Sequence, residues 1–127
     1  MRKLLRACAL LLLFAPAAAP QGGKHPCEQA SSQAEATACA EREYRRADAE
    51  LNQTYQQVLR REDRDGQARL KAAQLNWIKF RDTECEYEAG DYIGGTARPM
   101  VEAFCLAAVT SDRTRQLKEI LRAKSER

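Results

Sequence analysis

The chain has 127 residues, 44% apolar and 31% charged, with 21 Lys and Arg against 18 Asp and Glu. The net charge of +3 resides in Arg2, Lys3 and Arg6, so the remainder balances 18 bases against 18 acids. That balance excludes the positive field of a nucleic-acid-binding surface, and the length excludes more than one ordinary domain.

Residues 1–19 read as a secretory signal peptide, three early cations followed by an apolar run from Ala7 to Ala19 that ends in alanines. The run is too short to span a bilayer, which needs about 20 helical residues, so no membrane anchor is expected after cleavage. Cys8 has no apolar run before it and makes no lipobox. The expected location is outside the cytoplasm, periplasmic or secreted.

Export makes the other four cysteines, Cys27, Cys39, Cys85 and Cys105, candidates for two disulfides. The pairs Cys27–Cys39 and Cys85–Cys105 each close a short excursion; two other pairings are formally possible. With one histidine, His25, and no Cys-x-x-Cys, no metal site is expected, and no cofactor motif is present.

Residues 20–31 form a flexible leader by composition. Ser32-Gln33-Ala34-Glu35 has capping-box spacing and opens the helical domain, residues 32–124. Ala36, Ala40, Tyr44, Ala47, Leu51, Tyr55 and Val58 then recur at steps of four and three, predicting an amphipathic helix over 33–62. Asp65-Gly66 offers the next helix start, predicting a second helix over 67–89 with Leu70, Ala73, Trp77, Phe80 and Tyr87 as its buried stripe. Residues 90–99, GDYIGGTARP, read as a loop. The third helix is predicted over 98–124, with Pro99 in its first turn and a stripe of Met100, Phe104, Ala107 or Ala108, Ser111, Leu117 and Leu121. The expected fold is all-α, a three-helix antiparallel bundle cross-linked by two disulfides.

Several polar residues fall beside the apolar stripes at helical spacing. Asp48 and Asn52, Gln74 and Arg81, and Thr110 and Arg113 suggest a polar layer where the helices meet, fixing their register. The segment 81–91 gathers Asp82, Glu84, Glu86, Glu88 and Asp91 around Arg81 alone. Acids at a helix C-terminus oppose its dipole. Either Arg113, Arg115 or Lys118 of the third helix neutralises them, or they form a patch for a basic partner, with Tyr92 and Ile93 as apolar anchors. No nucleophile and base with a recognisable spacing are present, and the chain reads as a binding protein rather than an enzyme.

Cys39, the run Ala47 to Asn52 with Tyr55, the stretch KAAQLNWIKFRDTEC (71–85), Gly94-Gly95-Thr96, Cys105-Leu106, Thr110, Arg113-Thr114 and Leu117 stand in an order and spacing that resembles the lysozyme inhibitor LprI-like N-terminal domain family. The resemblance spans nearly all of the chain after the signal. It implies an exported inhibitor whose partner is a protein such as a basic lysozyme. The alternative function is a structural or assembly module of the cell envelope that binds another protein or peptidoglycan.

Overall fold

The computed structural model describes residues 27–126, which form α1 (Gln33–Leu59), α2 (Arg64–Gly90) and α3 (Arg98–Ser125). The signal segment and the leader as far as residue 26 lie outside the described residues. Helix α2 runs antiparallel to the other two, which are parallel to each other. Across α1 and α3, Lys118 Nζ reaches Glu50 at 2.6 Å and Lys124 reaches Glu62 at 2.9 Å. Across α2 and α3, Cys85 is joined to Cys105. The second disulfide, Cys27–Cys39, ties the turn at Cys27–Gln29 onto the first turns of α1.

The start of α1 is capped as its sequence suggests, with one shift. Ser32 Oγ accepts from the Glu35 N–H at 3.2 Å, but the Glu35 carboxylate accepts from the N–H and hydroxyl of Ser31, both at 2.8 Å, rather than from Ser32. Those two bonds hold the Glu35 carboxyl below the usual carboxylate range. Their contribution is present above the ordinary Glu pKa and is lost as pH falls through the lowered value. The helix ends at Leu59, three residues before the sequence expectation, as Arg61 and Glu62 close turns onto Val58 and Leu59.

The second helix begins earlier than Asp65-Gly66 implies. Asp63 is its N-cap, accepting from the Gly66 N–H at 2.7 Å. Gly66 is buried in this first turn, where a Cβ would lie 2.5 Å from a Glu62 carboxylate oxygen and would displace that side chain. Asp63→Ala is expected to cost about 0.5–2 kcal/mol in a thermal melt. Asp65→Ala, which removes only a favourable first-turn charge, should cost less.

Small residues let α1 and α3 approach closely. Ala40, Ala47 and Thr54 are buried on α1, and Ala103, Thr110 and Thr114 on α3, with the fully buried Val58 and Leu117 and the nearly buried Leu51 below them. Tyr55, Leu70, Trp77 and Leu121 pack around those three aliphatic residues. Thr54 and Thr114 hydroxyls donate to their own helices, to the carbonyls of Glu50 and Thr110, which makes them compatible with burial.

Two expected stripes differ from the buried faces. On α3 the buried positions are Ala103, Cys105, Thr110, Thr114 and Leu117; of the expected stripe Leu117 is buried and Met100, Phe104, Ala107 and Leu121 are half-buried, whereas Ser111 is exposed. On α2 the buried face is Gly66, Gln74, Arg81, Cys85 and Ala89, with Leu70 and Trp77 half-buried at its edge. Ala73 is exposed, Phe80 is 54% exposed and Tyr87 80%. The cause is geometric. At 100° per residue Ala73, Phe80 and Tyr87 lie about 60–100° around the helix from Leu70, on the side away from Gln74, Arg81 and Cys85, so they flank the buried face instead of forming it.

Candidate partner-binding surface

The acid-rich residues occupy the last turns of α2 and its C-cap, Asp91. Asp82 is bound by Arg81, at 2.8 Å from Nε and 2.7 Å from Nη2. Glu84 is half-buried, and Glu86, Glu88 and Asp91 are exposed. The α3 cations are engaged elsewhere: Arg113 with Gln74 and Gln116, Arg115 with Asp112, and Lys118 with Glu50. None of them neutralises Glu84, Glu86, Glu88 or Asp91, and the last turn of α2 holds no basic residue.

After α2 the chain turns through residues 91–97, with Gly95 donating to the Tyr92 carbonyl at 2.9 Å. Gly94 takes φ +80°, a left-handed conformation that costs glycine little and other residues more. The turn presents Tyr92 and Ile93, the latter 76% exposed, next to the acids. Charge is segregated along the whole bundle. The end holding residues 27–46 and 82–110 carries ten Asp and Glu against four Arg; the rest of the described chain carries eight acids against twelve bases. Exposed apolar side chains bordered by one sign of charge form a surface suited to an oppositely charged protein.

The residues of the expected polar layer separate into three places. Arg81, only 9% exposed, has its guanidinium 5.3 Å from the Trp77 ring centre and 5.6 Å from that of Tyr44, with Asp48 at 3.7 Å. Asn52 donates to Asp48 at 3.0 Å, completing a cluster between α1 and α2. Burial pushes the Tyr44 phenol up, against the opposing pull of Arg81. Between α2 and α3, Arg113 Nε donates to Gln74 Oε1 at 3.1 Å, and burial lowers the Arg113 pKa. Thr110 is fully buried, its hydroxyl unpaired among the described residues, and belongs to neither group. Sequence patterning missed Tyr44 and Trp77 as the faces that hold Arg81, although an Arg four residues after a Trp on one helix was a usable signal.

Among the described residues no group of three or more His, Cys, Asp or Glu could hold a metal ion, and no helix is long and apolar enough to cross a membrane. The surface grooves are open ones. One lies between α1 and α3, lined by Glu50, Thr114, Arg115, Lys118 and Leu121, where the charges of Glu50, Arg115 and Lys118 are already paired.

These features define a small three-helix protein, cross-linked by two disulfides, with an acidic and partly aromatic end. The family model described as lysozyme inhibitor LprI matches residues 26–117, and the chain belongs to that family. It is also 37% identical to an uncharacterized protein of Rhizobium meliloti (strain 1021), over 95% of this chain and 96% of the relative. No solved structure matches it.

Proposed function

We propose that the protein is exported and binds a lysozyme-like muramidase, inhibiting it stoichiometrically without cofactor or catalysis of its own. Membership in the lysozyme inhibitor LprI family is the observation that carries this reading. The signal-like start of the chain and its two disulfides support export. The contact surface is the acidic end of α2, Asp82, Glu84, Glu86, Glu88 and Asp91, with Tyr92 and Ile93 of the following turn. Among the described residues its acids other than Asp82 make no ion pair, and an enzyme rich in surface Arg and Lys would supply one.

Inhibition of a panel of lysozymes, basic and acidic, tests the proposal. At least one basic enzyme should lose activity in a one-to-one titration, with association slowing as salt shortens the Debye length to about 8 Å near physiological strength. Replacing Glu86, Glu88 and Asp91 by the amides should slow association about tenfold at low salt and leave the melting temperature unchanged, because exposed charges contribute little to stability. If every lysozyme keeps its turnover rate, the inhibitor reading fails and an envelope assembly module takes its place.

A further inference from the structure

We propose that the outer side of α2 is a self-association face, through which two copies of the chain pack antiparallel around Phe80. The observation behind it is an apolar row that lies beside the core-facing side of α2. Ala73, Phe80 and Tyr87 stand at seven-residue spacing, all three exposed, and neither α1 nor α3 covers them. One apolar position per heptad, flanked by Asn76 and Thr83, gives a narrow seam along which a second helix can lie. Arg69, Asn76, Thr83 and Asp91 share this side of α2 and are exposed too.

The face complements itself in one orientation. When two such helices lie antiparallel with Phe80 on the two-fold axis, Tyr87 of one copy falls opposite Ala73 of the other, a large side chain over a small one. By the same symmetry Asp91 falls opposite Arg69, an acid against a base, and each contact occurs twice. Arg69 and Asp91 make no ion pair within their own chain among the described residues, so both are available. A parallel arrangement would set Asp91 against Asp91, Arg69 against Arg69 and Tyr87 against Tyr87, which like-charge repulsion and bulk disfavour. Charge therefore selects the antiparallel pair, and a second copy of this chain is the occupant that the pattern fits.

This goes beyond the inhibitor reading, which rests on the end of α2 and the turn after it; Arg69, Ala73 and Phe80 lie outside that surface, and Asp91 belongs to both. One helix face against another buries an area at the low end of stable interfaces, so the dimer is expected to be reversible. Sedimentation equilibrium on the oxidised protein after signal removal should show a weight-average mass rising from one protomer toward two between about 10 μM and 1 mM. Phe80→Glu should abolish the rise while keeping the monomer's melting curve. Arg69→Glu alone and Asp91→Arg alone should each weaken association about tenfold, since each change acts twice, and the two combined should restore it to within about threefold. A monomeric mass up to about 1 mM, or a combined variant as weak as the single ones, would overturn the proposal. Phe80→Glu, at a site outside the enzyme-binding surface, should leave inhibition unchanged.

Discussion

Leu117→Ala is expected to lower stability by about 3–5 kcal/mol, the largest single-residue effect in this chain. Leu117 is 0% exposed and meets Leu51 and Val58 at the level where Tyr55, Leu70, Trp77 and Leu121 close the core from the sides. Those neighbours belong to all three helices, so no single side chain can swing in to fill the space. The cavity is therefore expected to persist, which places the cost toward the upper part of the range for a leucine truncation. For a domain of about 100 residues, each kcal/mol shifts the melting temperature by about 4–8 °C, giving a fall of roughly 12–40 °C. A melt of the oxidised protein at micromolar concentration measures it. Phe80→Ala, a larger truncation at a site 54% exposed, should cost under about 1 kcal/mol in the same assay. A ranking of the two variants in the other order would show that the core does not lie where Leu117 places it.

That contrast marks how far the sequence could be read. The first helix was legible because its core side is apolar at almost every turn: Ala40, Ala47, Leu51 and Val58 are buried, with Ala36, Tyr44 and Tyr55 beside them. Glu41, Arg42, Arg45, Arg46 and Glu50, off that stripe, are exposed. The second helix was legible in extent and not in orientation. Its core side carries Gln74, Arg81 and Cys85, so a search for apolar periodicity passes over it and settles on the neighbouring stripe through Phe80 and Tyr87. Polar residues are accepted on a buried face when partners satisfy them, and those partners, Arg113 for Gln74 and Asp48 for Arg81, lie on other helices where local pattern cannot see them. The third helix shows the milder form of the problem. Thr110, expected in a polar layer, and Thr114, a surface residue by type, are both buried, and their small size suits them to the close contact with α1.

The acidic segment was legible as composition and illegible as geometry. Sequence alone left open whether Arg113, Arg115 or Lys118 would neutralise it, because all three lie on the helix that packs against α2. The answer depends on where each cation points around α3. Lys118 turns to Glu50 of α1, Arg115 stays on its own helix with Asp112, and Arg113 is drawn to Gln74, more than two turns before the acids begin. Two helix N-termini, those of α1 and α3, lie at the same end of the bundle as the acids, and their positive dipole ends offset part of the repulsion that five carboxylates create.

Arg81→Ala should cost about 2–4 kcal/mol, second only to the core truncation, and through a different mechanism. The guanidinium lies between the Tyr44 and Trp77 rings, each within the reach of a cation–π contact, and pairs with Asp48 and Asp82 at the exposed edge. Alanine removes both ring contacts and the packing of the long stem at once. Asp48 keeps Asn52 and partial solvent access, so the full penalty of a stranded buried charge does not arise. Arg81→Lys should recover less than half of the loss, because a compact ammonium on a flexible stem cannot meet two rings and two carboxylates at once as the planar guanidinium does. Arg81→Met separates packing from charge: it fills the same space, so it should cost less than alanine, and the difference between them measures what the stem contributes. Urea denaturation followed by the fluorescence of Trp77, the sole tryptophan, reports on both the stability and the stack itself. An alanine variant within about 1 kcal/mol of the parent, with unchanged emission, would mean that Arg81 is a bystander and that α1 and α2 are held in register through the aliphatic core alone.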